Sequence, residues 1–179
     1  MTEYTLINPI TGMSKIVQEY DLTRKIASND ILFRENEHIG IVTHRDLVVF
    51  VRWLAAEILA RAKGTPAPET QYALILVDRW LEDQQSVSNE ELKAAADAAQ
   101  IADAAARAAS RAAAKSRWDA AQAAWAAART AETAAWADGA AARAAWTADA
   151  AAWADGAAAE IASYEAQARW LVQHLQSGN

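Results

Sequence analysis

A chain of 179 residues with a net charge of −6 and a pI of about 5.1 has room for one ordinary domain with a small appendage, and can bury a core without covalent staples. The absence of cysteine excludes a disulfide framework and a thiolate metal site. The acidic balance excludes a general nucleic-acid binder, which needs a basic stripe to displace counterions.

The first residues, MTEYTLINPITG, lack a charged segment followed by an apolar run, so no secretory signal is expected. Residues 1–43 read as a small β-hairpin region. Tyr4-Thr5-Leu6-Ile7 is β-prone, Asn8-Pro9 and Thr11-Gly12 are turn signals, and Ser14-Lys15-Ile16-Val17 follows. Ile31-Leu32-Phe33 and Ile39-Gly40-Ile41-Val42 flank the polar run Arg34–His38, which suits a hairpin loop. Two such hairpins make a small antiparallel sheet that needs cover on one face.

A helical domain is expected over 44–179. Its first helix, 44–63, opens near Thr43 or His44, with Asp46 favoured in the first turn by the helix dipole. Leu47, Phe50, Val51, Leu54, Ile58 and Leu59 recur at helical spacing. Gly64, Pro66 and Pro68 end it. A second amphipathic helix, 68–84, buries Leu74, Val77, Trp80 and Leu81. These two helices are expected to cover the sheet.

The composition changes near residue 88, and more than half of the residues from there to 160 are alanine. Ser88 and Glu91 form a capping box that opens an alanine-rich array over 88–177. Alanine has the highest helix propensity, so this region is helical. A single helix over its length would be about 130 Å long, which a compact domain cannot hold. Three or four antiparallel helices are expected instead, the last near 157–176. Candidate breaks are Ser116, Thr130, Asp138-Gly139 and Asp155-Gly156. The charge every few residues leaves no apolar run long enough for a membrane span. The chain reads as mainly α, soluble and cytoplasmic.

Within the array the octet AWADGAAA occurs twice, 17 residues apart. Alanine lets helix axes approach closely, and tryptophan supplies the area alanine lacks. Trp118, Trp125, Trp136, Trp146, Trp153 and Trp170 are therefore read most simply as core plugs. The functional alternative is an aromatic recognition face, since tryptophan is enriched at interface hot spots. If 89–137 shared one helical phase, Lys93, Asp97, Gln100, Arg107, Arg111, Lys115, Gln122 and Arg129 would form one stripe with Trp118, Trp125 and Trp136.

No catalytic constellation is legible. His38, His44 and His174 show no metal-ligand spacing, and His174 reads as a helix C-terminal dipole partner. Phosphate-loop, dinucleotide, nucleophile-elbow and zinc-protease motifs are missing. Asp138 and Asp155 sit in the same A-D-G-A context, where a cap or turn explains both. No metal, cofactor or enzymatic activity is expected.

Asp78-Arg79-Trp80-Leu81-Glu82-Asp83, then Ser86-Val87-Ser88, leads into Ala94-Ala95-Ala96-Asp97-Ala98-Ala99. With the later helix Ala159–Gln167 and its following leucines, this resembles the Imm-5-like immunity protein family over about residues 44–175. The resemblance implies a small intracellular protein that neutralises a toxin by binding it. Compact inhibitors of bacterial defence in phages follow the same logic. The expected function is thus a non-enzymatic binding protein that antagonises a protein partner by surface occlusion. Candidate contacts are Arg107, Arg111, Lys115, Trp118, Trp125, Arg129, Trp136, Arg143 and Trp146. The alternatives are sequestration of a nucleotide-like anion, with Arg107, Arg111 and Arg143 clamping phosphate, and a structural or homo-oligomerisation module.

Overall fold

A computed structural model describes residues 2–61, 66–110, 115–136, 139–154 and 160–178. Side chains are described within these ranges except at 61, 103, 105–110, 115–120, 123, 141, 152–154 and 160. The chain is mainly helical with an N-terminal antiparallel sheet. The elements are β1 (Glu3–Ile7), β2 (Ser14–Gln18), a 3₁₀ turn (Glu19–Asp21), α1 (Leu22–Lys25), β3 (Ile31–Arg34), β4 (Glu37–Ile41), α2 (His44–Arg61), α3 (Pro68–Glu82), α4 (Asn89–Ser110), α5 (Lys115–Ala135), α6 (Ala140–Ala154) and α7 (Glu160–Gln176). They form two compact units, one of residues 1–50 with 140–179 and the other of residues 51–139.

In the first unit the strands lie in the order β2-β1-β3-β4, all antiparallel. Asn8 builds the β1–β2 turn as anticipated: its Oδ1 accepts the N–H groups of Ile10 and Thr11, both at 3.0 Å, and Gly12 adopts φ +68°. The β3–β4 connection is tighter than the loop expected over 34–38. Arg34, Glu37 and His38 are strand residues, and only Glu35 (φ +48°) and Asn36 (φ +71°) turn the chain. Two consecutive positive φ values match the right-handed twist of the flanking strands. One face of the sheet buries Tyr4, Leu6, Val17, Leu32 and Ile39. Helices α1 and α7 pack against the strands. Cover therefore comes in part from the far end of the sequence, through Leu171 and Val172 of α7.

The first turns of α2 also meet α7. Thr43 and Asp46 form a capping box: Thr43 Oγ1 accepts the Asp46 N–H at 3.1 Å, and Asp46 Oδ2 accepts the Thr43 N–H at 2.8 Å. The other carboxylate oxygen of Asp46 lies 3.2 Å from His174 Nε2. His174 stacks on Trp170, whose ring packs on Phe50. The dipole role expected of His174 at the end of α7 is thus joined by a buried carboxylate 128 residues away.

In the second unit, α2 continues from Val51 and is tied to α3 by a two-pronged ion pair. Arg52 Nε and Nη2 donate to Asp78 Oδ1 and Oδ2 at 2.8 and 2.9 Å. Pro68 starts α3, where a missing N–H costs nothing. The Ser88–Glu91 box opens α4 as read from the sequence: Glu91 Oε2 accepts the Ser88 N–H at 2.9 Å, and Ser88 Oγ accepts the Glu91 N–H at 3.2 Å. The Ser88 N–H, and then the Ser88 hydroxyl donating to the same oxygen at 3.0 Å, hold the Glu91 carboxyl below its usual value. α4 and α5 pack side by side as an antiparallel hairpin, since Lys93 meets Trp136 while Gln100 meets Glu132. α6 and α7 run antiparallel in the first unit, joined by Tyr164 to Asp149 at 2.7 Å. The alanine-rich region therefore holds four helices among the described residues. Each AWADGAAA copy spans a helix end, after Ala135 and around Ala154. Asp138, Asp155 and Gly156 lie outside the described residues, while Gly139 takes φ +76° just before α6. Thr130, a candidate break, sits inside α5.

Candidate functional site

The α4–α5 hairpin is held by small side chains. Ala95, Ala96 and Ala99 of α4 are buried, as are Ala121, Ala124, Ala126, Ala127, Ala128, Ala131 and Ala134 of α5. Thr130 and Thr133 are buried with them, because each hydroxyl donates to the carbonyl four residues back, Ala126 and Arg129, both at 2.7 Å. Alanine permits the close approach that leaves no room for a large ring between these helices.

Trp136 and Trp146 depart from the reading of the tryptophans as core plugs. Trp136 is 50% exposed and Trp146 56% exposed. Trp125 and Trp170 are half-buried. Trp80, on α3, is the buried one among the described tryptophans. The side chains of Trp118 and Trp153 lie outside the described residues.

The single helical stripe over 89–137 does not hold either, since α4 ends at Ser110 and α5 runs back from Lys115. The reversal brings several of the same residues together by a different route. Lys93 Nζ lies 5.6 Å from the centre of the Trp136 ring, a cation–π contact. Farther along, Gln100 donates from α4 to Glu132 of α5. Glu132 also accepts from Arg129 Nη1 at 2.6 Å, and the Arg129 guanidinium lies 5.6 Å from the centre of the Trp125 ring. The Arg129 Nε–H is buried with no hydrogen-bond partner among the described residues. Trp125, Arg129, Glu132 and Gln100 thus form a connected cross-helix cluster, and Trp136 and Lys93 stand beyond it with the indole open to solvent.

Arg143 and Trp146 belong to α6, in the first unit. The side chains of Arg107, Arg111, Lys115 and Trp118 lie outside the described residues. Two members of the expected phosphate clamp, Arg107 and Arg111, thus lie outside the described side chains. Among the described residues no group of His, Asp and Glu side chains could hold a metal ion, and no helix is long and apolar enough to cross a membrane. The cross-helix cluster escaped the sequence reading because its pairs depend on where the hairpin turns. Comparison with known proteins finds no match to a protein-family model, to a curated protein or to a solved structure.

Proposed function

We propose that the chain is a non-enzymatic binding protein that antagonises a protein partner by occluding one of its surfaces, as an immunity-type toxin neutraliser or a phage-type inhibitor of bacterial defence does. The half-exposed indole of Trp136, with the Lys93 ammonium against its ring, carries this reading. A large rigid ring half exposed at the end of a helix keeps apolar surface in water. The same ring anchors binding when a partner supplies an apolar pocket. Lys93 adds a charge that favours acidic groups at the rim of that pocket. The resemblance to the Imm-5-like family points the same way. The partner surface should combine an indole-sized apolar pocket with neighbouring carboxylates.

The test is affinity capture from the host cell with the intact chain, mass spectrometry of what is retained, and titration of the purified partner with the wild-type protein and Trp136→Ala. Loss of a hot-spot ring costs about 2 kcal/mol or more, or roughly thirtyfold in affinity. The melting temperature should stay nearly constant, because surface substitutions fall within about 0.5 kcal/mol. Unchanged partner inhibition by Trp136→Ala would remove this site from the reading.

A further inference from the structure

At one end of the sheet in the first unit lies a polar groove of about 460 Å³. Tyr4 of β1, Glu19 of the 3₁₀ turn, Arg34 and Glu35 at the β3–β4 tip, and Arg169 and Gln173 of α7 line it. Its size falls within the range of small-molecule sites.

Glu19 is the unusual member. The residue is 9% exposed, and its backbone N–H is fixed by the carbonyl of Thr2 at 2.9 Å. Among the described residues one cation lies within 4 Å of its carboxylate, Arg169 Nη1 at 3.8 Å, beyond hydrogen-bond reach. Arg169 is itself half exposed and stands equally far from Glu165. A carboxylate this deeply buried ordinarily accepts several hydrogen bonds, and among the described residues none reaches Glu19. Among the described residues, the Glu19 carboxylate thus lines the groove without a hydrogen-bond donor on it.

Both signs of charge line the groove, Glu19 and Glu35 beside Arg34 and Arg169, with Arg34 also donating to Glu37 at 3.0 Å. A simple anion would meet two carboxylates, and a simple cation would meet two guanidiniums. A ligand with both charges satisfies each set. We infer that this groove binds a small zwitterion bearing a free ammonium and a free carboxylate, either an amino acid or the paired ends of a short peptide. The ammonium donates to Glu19, and the carboxylate accepts from the forks of Arg34 and Arg169, which suit that geometry. The buried Tyr4 ring closes the floor.

Calorimetric titration of the full chain with glycine, glycylglycine and triglycine, each beside its N-acetylated and C-amidated form, tests this. At least one free-ended probe should bind saturably, and blocking either end should weaken it at least tenfold. The length preference separates a free amino acid from a peptide. Glu19→Gln, checked for an unchanged far-ultraviolet spectrum, should reduce binding of the free-ended probe at least tenfold and leave the acetylated one unaffected. If no free-ended probe binds, or if acetylated and amidated probes bind as well as the free one, the inference is wrong.

Discussion

Tyr4 shows how a single side chain ties the sheet to the pH of its surroundings. Its ring is 2% exposed, and burial, followed by the charge of Glu19, raises its phenol above the ordinary value of 10.0. A folded-state value above the unfolded one means that the folded state disfavours phenolate. The associated stability is complete below the ordinary tyrosine range and is lost as pH rises through the folded value. Of the four tyrosines, Tyr4 should ionise late in a spectrophotometric titration, and alkaline unfolding should accompany it. Tyr4→Phe should flatten the alkaline limb of the stability–pH curve, and an unchanged limb would place that pH dependence elsewhere. Legibility at this scale followed sequence distance. Ser88 with Glu91, and Asn8 with its turn, act within a few residues and could be read directly. The Asp46–His174 contact spans the chain and left no local signal. The exposure of Trp136 and Trp146 was illegible for a related reason: alanine predominates on both sides of each, so composition does not tell which side of the helix is inside.

At the scale of elements, α5 explains why alanine dominates. Ala126, Ala127 and Ala128 are consecutive and all fully buried, so this helix is enclosed on more than one side. It packs on α3 and α4, and Thr130 Oγ1 approaches the carbonyl of Val51 in α2 at 3.5 Å. Only a small side chain permits contact around most of a helix circumference. Alanine gives up apolar area for this but loses no rotamer freedom on folding. Ala127→Leu should therefore overpack the unit and destabilise it by about 1–3 kcal/mol. Ala104→Leu, on an exposed position of α4, should stay within about 0.5 kcal/mol. Urea midpoints of the two variants check the contrast, and equal midpoints would contradict the tight interface. Helix and strand existence was legible because propensity, caps and turns are local. The tight β3–β4 turn was not, because Glu35 and Asn36 lack the glycine that usually marks such a turn.

For the whole molecule, the first unit is built from two distant stretches, 1–50 and 140–179, while the second is continuous over 51–139. Composition points to a boundary near residue 43 or 88, since the sheet ends near one and alanine begins near the other. Neither change reveals that α6 and α7, written in the same alanine idiom as α4 and α5, belong with the strands. What assigns α7 is its cargo of larger side chains, Leu171 and Val172 in the core and His174 on Asp46. Joining such distant stretches costs loop-closure entropy that grows only slowly with the length between them. The sheet should consequently depend on residues that follow it by more than a hundred positions. A fragment of residues 51–139 should unfold cooperatively with a strong helical signal. A chain ending at Gly139 should keep that helical transition yet lose slow amide exchange throughout β1–β4, because a small sheet without cover is marginal in water. Hydrogen exchange read by mass spectrometry separates the outcomes. Protected β1–β4 amides in the shortened chain would mean that the sheet stands without α7, and the dependence of the first unit on its C-terminal helices would have to be abandoned.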